Sequence, residues 1–182
     1  MMKERLILMR HAKSEWGDPA IADFDRPLNG RGRRDAPRMA RWLARHHMVP
    51  DRILASTARR VQETVAGMLP CWDATPTVLW SGDLYHASPE AILRHLASDG
   101  GEDSTVMIVA HNPGLELLVG TLAGEIIPFP TAAMAIFAVR GENWAQPIDR
   151  KKARLIAVQY PKELPADDQG ADRAADSEDQ EG

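Results

Sequence analysis

The sequence has 182 residues, of which 44% are hydrophobic, so it is long enough for one domain with a substantial core. Its only cysteine, Cys71, excludes a disulfide framework within the chain and argues against a thiolate metal site. No stretch reaches the length of a membrane span, and the chain does not open with a secretion-signal pattern, so we expect a cytoplasmic protein without membrane contact.

The net charge of −4 is spread unevenly along the chain. Residues 165–182 contain seven acidic residues and one arginine, a net charge of −6, which leaves about +2 for the remainder. Because this segment has almost no large apolar side chains, we expect a domain over residues 1–162 and a disordered acidic tail over residues 163–182. The slightly basic remainder allows an anionic ligand. The sequence lacks a basic stretch interleaved with aromatic residues, so it does not indicate nucleic-acid binding.

The first predicted element is a short strand that contains the apolar run Leu6, Ile7, Leu8 and Met9. This run is too short for a helix and is typical of a strand buried on both faces. It ends at Arg10 and His11, in the position where open α/β sheets bind their ligands. An arginine offers a planar set of donors to phosphate or carboxylate, and a histidine can act as nucleophile, base or anion contact. The alternative is a basic strand end that faces solvent.

A polar loop over residues 12–27 follows, and Ser14 and Arg26 within it are candidates for phosphate contact. Asn29 is a favourable N-cap for the next element. Residues 30–47 carry their apolar side chains on one stripe, which predicts an amphipathic helix.

A second strand is predicted over residues 52–55, and a helix is predicted from Ala58 to Leu69. A helix that begins just past a strand end presents free N–H groups to an anion. Arg60 lies in its first turn, where a cation opposes the helix dipole, so this placement indicates a ligand. Because Arg59 and Arg60 are adjacent on the helix, we expect one to face the site and the other to face solvent.

The second half of the chain continues the alternation of strands and helices. A third strand over residues 76–80 leads to the polar residues Asp83, Tyr85 and His86, and Ser88 with Pro89 predicts the start of a helix. Residues 105–110 form the most strand-like run, which ends at His111 before a helix over residues 115–122. Two further strands, over residues 134–139 and 154–159, are expected to form an antiparallel pair at the sheet edge.

These elements predict an α/β fold whose central sheet is mostly parallel and has an antiparallel edge. If the strands are parallel, their ends bring together Arg10, His11, Arg60 and His111, with Asp83 or Tyr85 nearby. Two guanidinium groups disfavour a divalent metal but suit a dianion. The pattern therefore indicates phosphoryl transfer without a metal or another cofactor.

Three segments, LMRHAKSEW, STARRVQET and IVAHNPG, occur in the order of the signature segments of the histidine phosphatase superfamily. The chain resembles this superfamily, with its phosphoglycerate mutase-like fold, over residues 5–158. The short length and the segments DLYHASPE and HNPGLE resemble its small phosphohistidine phosphatase branch, the SixA-like proteins. The resemblance implies a three-layer α/β/α architecture.

The resemblance also implies roles for the residues that match the motifs. It makes His11 the nucleophile that becomes phosphorylated, Arg10 and Arg60 the phosphate-binding arginines, and His111 the second histidine of the pocket. Arg60 rather than Arg59 matches the family pattern, because it stands four residues after the motif residue Ser56.

Two departures from the family pattern are visible. Ala12 stands where a glycine usually follows the Arg-His pair, and the inserted segment that carries a glutamic acid in longer members is missing. The position nearest to that acid is Asp83. An alcohol leaves poorly unless it is protonated, whereas the nitrogen of a phosphohistidine leaves more easily. We therefore expect a phosphatase for phosphohistidine on a protein. The alternative is a phosphomonoesterase for a small metabolite or sugar phosphate that uses Asp83, its pKa raised by burial, as the acid.

The expected reaction has two steps. Neutral His11 attacks phosphorus while Arg10, Arg60 and a protonated His111 hold the oxygens, and water activated by Asp83 then hydrolyses the intermediate. One rival is a phosphate-binding regulatory module without turnover. The complete set of pocket residues argues against this rival. Another rival is a metal site, whose candidate ligands lack the carboxylate neighbours and spacing of such a site. These ligands are His46, His47, His86 and His95.

Overall fold

A computed structural model describes residues 4–141 and 143–165 of the chain. In this part of the chain, strands and helices alternate as predicted. The strands are β1 (Glu4–Arg10), β2 (Arg52–Ser56), β3 (Thr77–Ser81), β4 (Thr105–Ala110), β5 (Met134–Val139) and β6 (Ala153–Gln159). The helices are α1 (Gly30–Arg45), α2 (Arg59–Met68), α3 (Pro89–Asp99) and α4 (Gly114–Ala123).

The six strands form one sheet in the order β3-β2-β4-β1-β5-β6. The pairs β3–β2, β2–β4 and β4–β1 are parallel, whereas β1–β5 and β5–β6 are antiparallel. This confirms the predicted mostly parallel sheet with an antiparallel edge. The β1–β4 register places Arg10 beside Ala110, so His11 and His111 leave the sheet at the same level.

Two layers of helices cover the sheet, which confirms the three-layer architecture. Successive side chains of a strand point to opposite faces. Leu6 and Leu8 accordingly pack in one apolar cluster with residues of α3 and α4, and Ile7 and Met9 pack in another with residues of α1 and α2. All four side chains are fully buried. Each such burial contributes about 1.5–3 kcal/mol relative to an exposed side chain.

The two predicted N-caps agree with the structure, whereas the end of α1 differs from the prediction by two residues. Asn29 accepts a hydrogen bond from the Gly32 N–H, and Ser88 accepts one from the Ala91 N–H, so both predicted N-caps are confirmed. Helix α1 ends at Arg45, two residues before the predicted end. The reason is the left-handed backbone of His47, with φ of 55°, which cannot continue a right-handed helix.

The boundary between the predicted domain and the acidic tail stays a prediction. Beyond residue 162, Leu164 is buried in the cluster beside α1 and α2, and its carbonyl accepts a hydrogen bond of 3.1 Å from Arg38 Nη2. Residues 166–182, with all the acids of the tail except Glu163, lie outside the described residues. Within residues 4–141 and 143–165, no helix is both long enough and apolar enough to cross a membrane.

Candidate active site

The carboxyl ends of three parallel strands place two histidines and an arginine in contact. His11 follows β1, His111 follows β4, and Arg60 is the second residue of α2, which follows β2. The two imidazole ring centroids are 5.2 Å apart. Arg60 Nε lies 3.3 Å from His11 Nε2, and Arg60 Nη2 lies 3.2 Å from His111 Nδ1. All three residues are buried, at 6% exposure for His11, 2% for Arg60 and 3% for His111.

Arg59 and Arg60 divide as expected for neighbours on a helix. Arg59 is exposed and pairs with Glu63 at 2.8 Å, one helical turn further along α2. Arg60 faces inward to the histidines. The structure therefore confirms the expectation that only one of the two arginines points to the pocket.

Arg10 supplies a second guanidinium from the end of β1. Its Nη1 donates to the Phe129 carbonyl oxygen at 3.2 Å, whereas its buried Nε has no hydrogen-bond partner in the described part of the chain. Burial lowers the pKa of Arg10, and the nearby charge of Glu116 opposes that change. Arginine nonetheless remains a cation in proteins. A buried N–H group without a partner is uncommon, and this one is free to donate to an external anion.

The contacts of His11 define its tautomer. Its Nδ1 lies 2.8 Å from the Ala12 carbonyl oxygen, which can only accept, so Nδ1 carries the hydrogen. Its Nε2 therefore has a free lone pair and accepts from Arg60 Nε. Burial, aided by the charges of Arg60, Arg10 and Arg26, lowers the pKa of His11 to about 3. His11 is thus a neutral imidazole with its nucleophilic nitrogen turned toward a cation.

His111 is also a neutral imidazole in this structure, and its protonation while it holds phosphoryl oxygens stays a prediction. Arg60 Nη2 can only donate, so the Nδ1 of His111 accepts from it. The other ring nitrogen, Nε2, lies 2.8 Å from Ser56 Oγ and carries the hydrogen. Burial and the neighbouring His11 and Arg60 lower the pKa of His111 to about 2. Its protonation in the pocket thus requires a negative charge, such as that of a bound phosphoryl group.

Sequence reasoning missed Asp23, which holds the outer edge of the Arg60 guanidinium. Arg60 Nη1 donates to the Asp23 carbonyl oxygen at 2.5 Å, and Arg60 Nη2 donates to Asp23 Oδ2 at 3.1 Å. The same Oδ2 accepts from the hydroxyl of Tyr85 at 2.6 Å, and Oδ1 lies 2.8 Å from Arg26 Nη2. The Tyr85 hydrogen bond and the two arginines hold the pKa of Asp23 well below its usual range. Asp23 is therefore a carboxylate that aims Arg60 at the two histidines.

The remaining predicted residues lie at different distances from this cluster. Arg26 is buried at its rim, where it pairs with Asp23 and stacks at 3.7 Å on the ring of Trp16. Ser14 is buried in an isolated bridge with Leu28. The phosphate-binding roles of Arg26 and Ser14 stay predictions.

Asp83 is not brought into the pocket. Its side chain is 90% exposed, and its carboxylate lies 3.8 Å from Nε2 of His95. The predicted acid role required a buried Asp83, and the side chain is not buried. Among the described residues, no three or more histidine, cysteine or acidic side chains are grouped to hold a metal ion.

Known proteins are similar to this chain in fold and in sequence. The family model of the histidine phosphatase superfamily (branch 1) matches residues 6–82. The putative phosphohistidine phosphatase SixA from Agrobacterium tumefaciens, a solved structure, is 31% identical with a TM-score of 0.73, over 87% of this chain and 99% of that chain. An uncharacterized protein of Mycobacterium tuberculosis is 32% identical, over 85% of this chain and 100% of its own length. Phosphohistidine phosphatase SixA of Escherichia coli is 29% identical, over 84% of this chain and 99% of its own length.

The chain belongs to the histidine phosphatase superfamily, as the three segments indicated. It is an enzyme of the phosphatase class with a phosphoglycerate mutase-like α/β fold. Among proteins of this class it is similar to SixA, both in sequence and in structure.

Proposed function

We propose that this enzyme removes a phosphoryl group from phosphohistidine on a protein, through a phosphohistidine intermediate at His11. One observation carries the proposal: the unprotonated Nε2 of a buried neutral histidine faces Arg60, with Arg10 adjacent. A neutral imidazole is a nucleophile at neutral pH without further activation. The similarity to SixA supports the choice of phosphohistidine as the substrate.

The two arginines bind the phosphoryl oxygens in this proposal. Arg10 offers its unpartnered Nε, and Arg60 offers the Nε and Nη2 edge that now faces the histidines. At about 4 Å and an effective dielectric constant near 20, each attracts a unit negative charge by roughly 4 kcal/mol before desolvation. The same negative charge raises the proton affinity of His111, which then donates its Nδ1 hydrogen to an oxygen.

The reaction proceeds in two displacements at phosphorus. In the first, Arg60 Nε turns from His11 to a phosphoryl oxygen, and His11 Nε2 forms a bond to phosphorus as the substrate P–N bond breaks. In the second, a water oxygen attacks phosphorus, the bond to His11 Nε2 breaks, and inorganic phosphate leaves. Stabilisation of charge on the equatorial oxygens is the main contribution of the pocket in both steps.

The two carboxyl groups near the pocket support the choice of a nitrogen leaving group. Asp23 is held ionised by Tyr85, Arg60 and Arg26, and Asp83 is exposed, so neither is suited to donate a proton. A nitrogen leaving group can carry its own proton, so P–N cleavage depends less on such a donor.

Two guanidinium groups repel a divalent cation, so the reaction needs no metal. We also place the enzyme in the cytoplasm, where an unpaired cysteine such as Cys71 stays reduced.

A panel of substrates tests this function. Purified enzyme is assayed on a phosphohistidine protein, phosphoramidate, an aryl phosphate and an alkyl phosphate, with and without a chelator. We expect kcat/KM for the two P–N compounds to exceed that for the alkyl phosphate, because a nitrogen that carries its own proton needs no proton donor from the enzyme. The chelator should have no effect. A clear preference for the alkyl phosphate, or a strict metal requirement, contradicts the proposal.

A further inference from the structure

A third imidazole lies at the pocket and has no part in the steps above. The ring centroid of His86 is 5.7 Å from that of His111 and 4.1 Å from that of Tyr85. The Nε2 of His86 lies 3.6 Å from Asp23 Oδ2, the same oxygen that accepts from Arg60. His86 therefore belongs to the group of charged and polar residues that surrounds the phosphate-binding arginine.

The burial of these residues shows the direction from pocket floor to solvent. His11, Arg60 and His111 are buried, whereas the side chains of Asp23 and His86 are 44% and 55% exposed. In an in-line displacement the leaving group departs on the side of phosphorus opposite to the nucleophile. With His11 buried at the floor, the leaving group departs toward solvent, on the side where His86 lies.

The backbone holds His86 in this place. Its φ of 54° lies in the left-handed region, where residues other than glycine are uncommon. The next residue, Ala87, packs against the first residue of α4, Gly114, so closely that a Cβ there would lie 1.9 Å from the Ala87 carbonyl oxygen. Backbone conformations of this kind persist where the surrounding structure fixes them, often at functional sites. The contact with Gly114 fixes His86 beside His111, which precedes α4.

We infer that His86 is a catalytic proton donor to the leaving group, which gives the enzyme a further activity on phosphate esters of weakly acidic alcohols. The inference rests on the proposed function because it needs His11 as the nucleophile. The groups that face His86 are Asp23, Tyr85, His111 and, through Asp23, Arg60. Histidine is the side chain that ordinarily changes charge between pH 5 and 8, so this residue type can both give and take a proton near neutral pH.

The proton balance of the ester reaction is simple. As the bond from His11 Nε2 to phosphorus forms, the P–O bond breaks and its electron pair stays on the leaving oxygen. The His86 imidazolium gives its Nε2 proton to that oxygen, so a neutral alcohol departs and His86 becomes neutral. In the second step, water attacks phospho-His11 and gives a proton to His86, which restores both histidines.

The dependence of rate on the leaving group tests this role. We compare wild type with His86→Asn, because asparagine tolerates a left-handed backbone. The substrates are an alkyl phosphate, p-nitrophenyl phosphate, whose leaving group is stable without a proton, and phosphoramidate, whose nitrogen carries its own proton. We expect kcat/KM of the variant to fall by about 100-fold or more for the alkyl phosphate and by less than about 5-fold for the other two.

His47→Asn is the matched control. His47 is also an exposed histidine with positive φ, 55°, but it follows α1 and lies apart from the pocket. Ratios between substrates within one preparation do not depend on the fraction of folded protein. The inference is overturned if His86→Asn loses activity equally on all three substrates, or on none. It is also overturned if wild type hydrolyses p-nitrophenyl phosphate but not the alkyl phosphate. In each of these cases the proposed function still stands, provided that hydrolysis of p-nitrophenyl phosphate requires His11.

Discussion

At the scale of single residues, the pocket depends on how each nitrogen of Arg60 is used. Its outer edge donates to Asp23, and its inner edge donates to the two histidines. A guanidinium held in this way needs no rearrangement of its outer edge when a phosphoryl group replaces the histidines as acceptor. Preorganised donors of this kind stabilise the charge of a transition state more than mobile ones do.

Replacing Asp23 with asparagine tests this positioning role. Asp23→Asn keeps the shape of the side chain and the backbone carbonyl that accepts from Arg60 Nη1, but it removes the charge that anchors Arg60 Nη2. Since solvent screens the partly exposed carboxylate, we expect kcat/KM for p-nitrophenyl phosphate to fall only about 3- to 10-fold. Asp25→Asn, an exposed neighbour in the same turn, should behave as wild type. A rise in kcat/KM for Asp23→Asn would mean instead that the carboxylate competes with phosphate for Arg60.

The contrast between Asp23 and Asp83 shows what the sequence could not predict at this scale. Asp83 comes two residues after β3 and lies nearest to the acid of the family pattern, which made it a candidate, yet it is exposed beside His95. Asp23 lies in a loop without periodicity, among other acidic residues, and no local pattern distinguishes it. Its importance comes from a contact with Arg60, 37 residues away, which only the folded chain reveals.

At the scale of elements, short apolar runs that end in polar residues were sufficient to predict the core of the site. Strands β4 and β5 have the predicted bounds, and His11 and His111 follow adjacent parallel strands. The carboxyl ends of parallel strands meet at one edge of a sheet, so the convergence of His11, His111 and Arg60 followed from topology.

The order of the strands explains why Asp83 was misplaced. Strand β3 is the outermost strand of the sheet and is separated from β4 by β2. The first residues after β3, which include Asp83, therefore lie beside the pocket and not within it. Two and three residues later, Tyr85 and His86 reach Asp23 and His111. Proximity to a strand end could be predicted from the sequence, but the position of that strand in the sheet could not.

At the scale of the whole molecule, two buried neutral histidines make stability depend on pH. His11 and His111 have pKa values of about 3 and about 2 in the folded protein, both below the ordinary histidine value of 6.5. Between pH 6.5 and those values the unfolded chain binds protons that the folded protein does not. The associated stability is therefore present above pH 6.5 and is lost as the pH falls.

Unfolding by urea at pH 7 and pH 5 measures this effect. We expect the free energy of unfolding to decrease with falling pH, with a contribution of up to about 1.4 kcal/mol per pH unit from each histidine. His111→Gln should remove one of the two contributions and flatten the dependence, whereas His47→Asn should leave it as in wild type. An equally steep decrease in His111→Gln and wild type would show that His111 does not stay neutral in the folded protein.

The most direct test concerns the bond between phosphorus and His11 Nε2. Enzyme is mixed with a radiolabelled aryl phosphate, quenched in alkali within the first turnover, and digested to locate the label. We expect wild type and His47→Asn to carry an acid-labile, alkali-stable phosphate on the peptide that contains His11. We expect His11→Ala to fold with the same near-UV circular dichroism but to show neither label nor turnover. Label on another residue, or full turnover by folded His11→Ala, would contradict the assignment of His11 as the nucleophile.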